Sequence, residues 1–131
     1  MTRILIAEDD ATTRRVVGTM VKRMGHIPIY SPDGQHALET LRADEDIELL
    51  ITDVMMPRMD GRELIRLIRA DKFLAELPVI VMSAVVGPKE IFELLRNGAT
   101  RFLPKPLSMD ELSLNVAAAL ELAESLKEKA T

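Results

Sequence analysis

The sequence predicts an α/β domain in which a five-stranded parallel sheet is covered by five helices, on both faces. Four short runs rich in β-branched residues are typical of buried strands, because each is bounded by polar, Gly or Pro residues: 4–7, 27–30, 49–52 and 79–82. A weaker fifth run covers 101–103. Segments with helical spacing of apolar residues separate these runs. This alternation indicates a doubly wound sheet, because parallel neighbours need crossover helices and strands apolar on both sides need cover on both faces.

Length and composition predict a single globular domain over residues 1–131, with 121–131 as a helical extension or linker. The 131 residues are 47% hydrophobic and 29% charged, which argues against a disordered segment and against membrane insertion. A net charge of −4 argues against direct nucleic-acid binding. The chain has no cysteine, which excludes disulfides and weakly favours a cytoplasmic location. Its longest wholly apolar run, 116–120, is far shorter than the ~20 residues that span a bilayer.

Glycines punctuate the predicted elements. Gly25, Gly34, Gly61 and Gly98 lie where helices stop or turns begin, as expected of a residue that tolerates positive φ. No linker, repeat or low-complexity tract interrupts the pattern.

The last helix carries two apolar stripes. It begins at a predicted N-cap, Ser108, with Glu111 three residues later as in a capping box. One stripe has three- and four-residue steps and is expected to cover the sheet; its members are Met109, Leu112, Val116, Ala119 and Ala123. Leu114, Ala118 and Leu122 fall on a different face. Scattered surface residues and a partner-binding surface explain this second stripe equally well, so both interpretations stay open.

Acidic and polar residues follow the predicted strands at the edge where their carboxyl ends meet. Ligands of open parallel sheets bind in the crevice at this edge. The first run is followed by Glu8 and Asp9, the third by Asp53, the fourth by Ser83, and the segment after the fifth supplies Lys105. Three ionised carboxylates against one ammonium leave two negative charges, which a divalent cation would neutralise. Oxygen ligands without His or Cys favour Mg²⁺, or a similar ion such as Mn²⁺.

This set of residues suits a phosphoryl group. A cation beside a carboxylate, with an ammonium and a hydroxyl able to hold anionic oxygens, is an arrangement for phosphoryl transfer. Asp53 is then the predicted nucleophile, since carboxylates form aspartyl phosphates. A single acidic strand end is usually a solvated loop carboxylate, but five matching positions at successive strand ends favour a site.

Four segments carry a resemblance to a known family: the pair Glu8-Asp9, LITDVMMPRMDG at 50–61, VIVMSA at 79–84 and GATRFLPKP at 98–106. With these segments the chain resembles the receiver domains of two-component response regulators, such as the chemotaxis regulators, from residue 4 to about residue 123. The resemblance implies a flavodoxin-like fold with strand order 2-1-3-4-5. It also implies a cytoplasmic phosphoacceptor switch rather than an enzyme, one that catalyses its own phosphorylation and slow dephosphorylation.

The resemblance implies a partner and a metal. A phosphohistidine of a sensor histidine kinase or phosphotransfer protein would donate its phosphoryl group to Asp53, and the change of conformation would regulate a partner or output domain. Metal ligation is implied for Asp9 and Asp53, for Glu8 through water, and for the backbone carbonyl of Met55. The implied ion is Mg²⁺.

The resemblance also implies phosphoryl contacts and a switch. Contacts are implied for the Ser83 hydroxyl, the Ala84 backbone N–H and the Lys105 ammonium. Phe102 stands at the aromatic switch position of the family, where it acts together with Ser83; an ordinary core aromatic explains Phe102 equally well. The bond between Lys105 and Pro106 matches the cis peptide of the family.

Two other classes of protein compete with this interpretation. A Mg²⁺-dependent phosphatase of the haloacid dehalogenase type also uses an Asp nucleophile, but it needs a second Asp two residues later, where this chain has Met55. A flavin-binding electron carrier would need a phosphate-binding loop after the first strand and aromatic residues beside the ring. The acidic segment 8–10 repels phosphate, and the chain has no Trp and one Tyr.

A dimer contact is predicted for the last helix. Activation in the family commonly remodels the face made by the fourth helix, fifth strand and fifth helix. Leu114 lies roughly opposite the core stripe, so we do not expect one domain to bury it. The second stripe therefore stands where a second copy or a target would dock.

Overall fold

A computed structural model describes residues 1–84 and 87–130 of the chain, in which five strands alternate with five helices. The elements in chain order are β1 (Arg3–Ala7), α1 (Ala11–Arg23), β2 (Ile27–Ser31), α2 (Gly34–Ala43), β3 (Ile47–Asp53), α3 (Gly61–Ala70), β4 (Val79–Ser83), α4 (Pro88–Arg96), β5 (Arg101–Pro104) and α5 (Met109–Ala130). All strand pairs are parallel, in the order β2-β1-β3-β4-β5. The predicted fold class and strand order are confirmed.

Each predicted strand is present, and each is longer than its sequence run. β3 gains residues at both ends because Ile47 is buried and pairs with β1, while Asp53 pairs with Met82 of β4. β4 gains Ser83, which pairs with Pro104. Two of the candidate site residues, Asp53 and Ser83, are therefore the last residues of central strands rather than members of loops.

Two apolar layers form the core, one on each face of the sheet. Successive strand residues point to opposite layers, so Leu5 packs with the layer under α2, α3 and α4, and Ile6 packs with the layer under α1 and α5. This explains why the strand sequences are apolar without alternation, as expected for a parallel sheet covered on both faces.

Helix starts are fixed by side-chain caps at the carboxyl edge of the sheet. In each case a side-chain oxygen accepts the backbone N–H three residues later, at 2.8–3.1 Å; the capping residues are Asp10, Asp33, Asp60 and Ser108. The predicted cap at Ser108 is confirmed. Because α1, α2 and α3 all begin at this edge, their partial positive ends gather around it.

Glycines serve two different purposes, and the expectation of positive φ is wrong for half of them. Positive φ occurs at two of the four predicted positions, Gly25 (88°) and Gly98 (120°). Gly34 and Gly61 are the first residues of α2 and α3 instead. A Cβ at Gly34 would collide with the carbonyl oxygen of Met59, and one at Gly61 with that of Asp53. These two glycines therefore allow the loop after β3 to lie close to the helix starts.

The last helix, α5, continues well beyond the residues that it buries against the sheet. Leu112, Val116 and Ala119 are buried, as the first stripe predicts. Leu114 is 72% exposed and Leu122 is also exposed, so the second stripe lies on the surface of the domain. Residue 131 lies outside the described residues, and within them no helix is long and apolar enough to cross a membrane.

Candidate functional site

The predicted site residues meet at the carboxyl edge of the sheet. Glu8 and Asp9 directly follow β1, and Asp53 ends the neighbouring strand β3. One carboxylate oxygen from each of the three lies within 4.8 Å of the other two. Lys105 follows β5 and reaches across β4 into this cluster. The structure thus brings together four residues from three strands and from positions up to 97 residues apart.

Lys105 is the central cation of the cluster. Its Nζ donates to Asp53 Oδ2 at 2.6 Å and to Glu8 Oε1 at 2.5 Å. The side chain of Lys105 is 19% exposed, and that of Glu8 only 1%. Hydrogen bonds between ionised groups in such a sheltered place are stronger than those on the surface.

Asp53 is held by its strand and by the loop that follows. Its Oδ1 accepts the backbone N–H of Val54 at 2.7 Å, so one oxygen faces the chain and the other faces Lys105. The N–H of Gly61 donates to the carbonyl oxygen of Val54 at 2.7 Å, which folds the loop back over the strand end. The Asp53 side chain keeps 11% of its surface exposed. A reactant can therefore approach a carboxylate whose orientation is already fixed.

Burial and charge shift two pKa values at this edge. Burial of Glu8 raises the pKa of its carboxyl group, and the nearby Asp53 charge raises it further, while the hydrogen bond from Lys105 acts in the opposite direction. Burial of Lys105 opposes its charged form, but its hydrogen bonds to Asp53 and Glu8 outweigh this and raise the pKa of its ammonium group. The raised pKa of Glu8 thus comes first from burial, and the raised pKa of Lys105 comes from its two carboxylate partners.

Ser83 lies at the end of β4, Ala84 directly follows it, and Phe102 lies on the neighbouring strand β5. Ser83 is buried, and its carbonyl oxygen accepts the backbone N–H of Lys105 at 2.8 Å, which ties the lysine segment to β4. Ala84 is exposed. Phe102 is partly buried against the apolar layer under α2, α3 and α4. The Lys105–Pro106 peptide is cis, as the resemblance implies. The roles assigned to these residues stay predictions.

Asp9 and Met55 are the exposed members of the predicted metal set. Asp9 lies on the solvent side of the cluster, and the Met55 residue is largely exposed in the loop after β3. Asp10 takes no part in the cluster, because its side chain caps α1 by accepting the N–H and the hydroxyl of Thr13. Asp10 is thus the N-cap of α1 and not a member of the metal set.

The donor set fits a divalent cation. Three carboxylates with one ammonium leave an excess of negative charge, and their oxygens are close enough to share one ion. Glu8, Asp9 and Asp53 would supply the carboxylates. The described residues bring no His or Cys into the cluster, so its chemistry is that of hard oxygen ligands.

Sequence reasoning missed an ion pair that fixes the loop after β3. Arg58 Nε and Nη2 donate to Oδ2 of Asp33 at 3.0 and 2.5 Å, and Arg58 has a positive φ of 64°. Asp33 is buried and also caps α2. The sequence does offer the N-cap signal at Asp33, but nothing in it connects that residue to an arginine 25 positions later.

A family model, sequence relatives and solved structures all indicate the same family. Residues 4–117 match the family described as response regulator receiver domain. The chain is 32% identical to a Chemotaxis protein CheY homolog of Campylobacter jejuni over 107 residues, which are 81% of this chain and 82% of that protein. It is 30% identical to Chemotaxis protein CheY1 of Helicobacter pylori over 119 residues, 90% of this chain and 96% of that protein.

A solved structure agrees with these relatives. The receiver domain of the Francisella response regulator 1452 superposes with a TM-score of 0.85 at 28% identity, covering 92% of this chain and 98% of that one. Receiver domains are phosphoacceptor switches of two-component systems, and they bind Mg²⁺ in an acidic site. The chain belongs to the response regulator receiver domain family.

Proposed function

We propose that this chain accepts a phosphoryl group on Asp53 from a phosphohistidine of a sensor histidine kinase or phosphotransfer protein. The observation that carries the proposal is the sharing of one ammonium, Lys105, between the oriented carboxylate of Asp53 and the buried carboxylate of Glu8, with Asp9 beside them. A solvated acidic loop would not bury Glu8 or fix the direction of both Asp53 oxygens.

The transfer needs little from the protein beyond position and charge. An oxygen of Asp53 forms the new bond to phosphorus while the bond from phosphorus to the imidazole nitrogen breaks, and its electron pair stays on that nitrogen. Lys105 stabilises the negative charge on the transferred oxygens. The Ser83 hydroxyl and the Ala84 N–H donate further hydrogen bonds to them. The chain catalyses its own phosphorylation in this way; in the slow dephosphorylation, water attacks the phosphorus atom, the bond from phosphorus to the Asp53 oxygen breaks, and inorganic phosphate leaves.

We assign Mg²⁺, or Mn²⁺, to Glu8, Asp9, Asp53 and the backbone carbonyl of Met55. When bound, the ion neutralises the negative charge that the acceptor and the phosphoryl group bring together. Glu8 serves through water, because its own oxygens bond to Lys105 and to the N–H of Asp10. Asp9 is exposed on the solvent side of the cluster, so its carboxylate is open to a metal ion.

Replacement of the acceptor tests the proposal. Asp53→Asn abolishes incorporation of phosphate from acetyl phosphate with Mg²⁺, because an amide oxygen is a poor nucleophile. The matched control is Asp60→Asn, the same change at a helix cap on the same edge of the sheet, which keeps incorporation because asparagine also caps helices. Unchanged labelling of Asp53→Asn would move the acceptor to another residue.

The metal assignment has its own matched pair. Asp9→Ala weakens Mg²⁺ binding much more than Asp10→Ala, since Asp9 belongs to the carboxylate cluster and Asp10 caps α1. Titration with Mg²⁺, followed by chemical shifts of the loop amides, measures both affinities. Equal titration curves for the two variants would contradict the ligand set.

The output of the switch is also proposed. Phosphorylation shifts an equilibrium between two conformations, in which Ser83 and Phe102 change together. The face with Leu114, Ala118 and Leu122 then binds a second copy or a target, in the cytoplasm and without nucleic acid or membrane. Sedimentation with beryllofluoride tests this: association that Leu114→Glu suppresses supports a dimer, and a monomer in both states contradicts it.

A further inference from the structure

A groove of about 1090 Å³ lies at the amino-terminal edge of the sheet, at the end away from Asp53. Its walls are the end of α2 with the loop to β3, the turn between α3 and β4, and the last turns of α5. The proposed phosphoryl transfer uses none of these segments. The groove is therefore a feature that the function given above leaves unexplained.

Apolar side chains form the floor and the mouth of the groove. Leu74, Leu77 and Leu120 line it from the partly buried side, where they pack against the core. At the mouth, Phe73 is 86% exposed and Leu126 is 47% exposed. Uncovered apolar surface of this kind, rimmed by polar residues, is typical of a site for another molecule.

The wall that presents Phe73 is an ordered turn. Asp71 accepts the backbone N–H of Phe73 at 2.8 Å. The guanidinium of Arg69 donates to the carbonyl oxygens of Ala75 at 3.0 Å and Leu77 at 2.6 Å. These bonds order the backbone of the turn that carries Phe73 before any partner arrives, which lowers the entropic cost of binding.

The rim of the groove carries excess negative charge. Asp44 and Asp71 are each paired with an arginine, but five exposed carboxylates have no ion pair among residues 1–84 and 87–130: Glu45, Asp46, Glu48, Glu76 and Glu124. Among the described residues, the basic members of the lining are Lys127 and Arg42, which pairs with Asp71, and the Lys72 ammonium lies 5.1 Å from the centre of the Phe73 ring. An apolar floor inside an acidic rim is complementary to a segment with apolar residues on one face and Lys or Arg on its flanks.

Part of the groove wall lies beyond the residues that match the family model. The match to the family ends at residue 117, whereas the α5 wall of the groove begins at Leu120 and continues to Lys127.

We propose that this groove is a docking site for a basic amphipathic segment of a partner protein. The partner's apolar residues would pack on Phe73, Leu126 and the floor, and its cationic residues would face the acidic rim. Docking here does not require phosphorylation, so the proposal stands or falls independently of Asp53.

The test uses a labelled peptide of repeated Lys-Leu-Leu-Lys units and fluorescence anisotropy with the whole chain. The wild type binds it saturably, and so does Asp53→Asn. Neutralising the rim with Glu45→Gln, Glu76→Gln and Glu124→Gln together weakens binding about tenfold or more, because three attractive charges are lost next to the ligand. The control is Glu39→Gln, Glu93→Gln and Glu121→Gln, an equal change of net charge at exposed positions outside the groove, which changes binding less than about twofold.

A second matched pair tests the apolar contact. Phe73→Ser weakens binding, whereas Phe92→Ser, at an exposed phenylalanine on α4, does not. Equal losses in the two charge triples would show attraction to net charge alone and overturn the proposal. So would failure of the wild type to saturate, or self-association of the chain through the groove that displaces the peptide.

Discussion

The two ends of the sheet are both rich in carboxylates, and they use them in opposite ways. At the carboxyl edge, Glu8 is almost wholly buried and shares one ammonium with Asp53. At the amino edge, carboxylates are paired singly with arginines, as Asp44 is with Arg3, or remain exposed. The difference teaches that burial and convergence, rather than acid content, distinguish a site for chemistry from a charged surface.

The direction of the chain explains why the buried charges are at the carboxyl edge. Every strand there is followed by a helix start, and α1, α2 and α3 begin with an aspartate cap. The exposed N–H groups of these helix ends favour negative charge nearby. The helices end at the amino edge of the sheet. The exposed carbonyl groups of their last turns carry partial negative charge, which does not stabilise a nearby carboxylate.

Glycines at the two edges give the largest predicted difference. Gly61→Ala would place a Cβ against the backbone oxygen of Asp53, and we expect a loss of about 3 kcal/mol of unfolding free energy, with slower phosphorylation, as for an overpacked core. Gly25→Ala meets no atom within 4 Å and is penalised only by its φ of 88°, so the expected loss is about 1 kcal/mol, with phosphorylation unchanged. Chemical denaturation and labelling rates check both. Equal losses of unfolding free energy in the two variants would mean that the loop after β3 can shift to make room for a Cβ at Gly61 at little cost.

Removal of the central cation comes next. Lys105→Ala leaves Glu8 buried without its partner, and we expect a loss of about 2–3 kcal/mol in unfolding free energy without divalent cations, below the full value for a buried pair because Lys105 is partly exposed. Mg²⁺ should reduce the difference in unfolding free energy between this variant and the wild type, since the variant has one positive charge less in the cluster and binds a cation more strongly.

The measurement is denaturation with EDTA and with Mg²⁺, and Lys89→Ala, at an exposed position on α4, is the control. If the difference in unfolding free energy between Lys105→Ala and wild type were the same with EDTA and with Mg²⁺, Lys105 and the metal ion would not balance the same carboxylates. The variant should also lose the chemical-shift changes that follow phosphorylation in the wild type, while keeping its fold.

The ion pair that fixes the loop after β3 gives a smaller effect with a defined pH dependence. The hydrogen bond from Arg58 lowers the pKa of the Asp33 carboxyl group below its usual 3.8. The charged pair therefore stabilises the folded state above that value, and the stabilisation is lost as the pH falls through the lower, folded pKa. Asp33→Asn keeps a good cap but loses the charge.

Stability curves against pH test this sign. The difference between wild type and Asp33→Asn should be constant well above pH 3.8 and shrink below it. The same difference measured in an Arg58→Ala background should show no such loss. A difference that grows on acidification would have the wrong sign for this pair.

The smallest effect is expected at the amino edge. Asp44→Asn breaks the pair with Arg3, whose side chain is 37% exposed, and solvent screens pairs at such partly exposed positions. We expect its denaturation midpoint to lie close to that of the wild type. A loss as large as that of Lys105→Ala would remove the distinction between the two edges.

Most of the fold could be predicted because its signals are local. The apolar runs of β1, β3 and β4, the cap at Ser108 and the buried stripe through Leu112 all follow from spacing along the chain. The positions of Glu8, Asp53 and Lys105 at one edge follow from the rule that parallel strands share a carboxyl end.

The parts that could not be predicted depend on contacts between distant residues. Nothing local distinguishes Gly61, which avoids a collision, from Gly25, which has a positive φ. The partnership of Arg58 with Asp33 and the groove behind α5 arise only when separate loops meet in space. Sequence periodicity carries no information about such encounters.

Localisation of the phosphoryl group tests the central claim most directly. The chain is phosphorylated with acetyl phosphate and Mg²⁺, reduced with borohydride, which converts an aspartyl phosphate to homoserine, and digested for mass spectrometry. The account predicts homoserine at Asp53 alone, with none in samples that contain EDTA. Homoserine at Asp9 or at another aspartate, or equal conversion without a divalent cation, would contradict it.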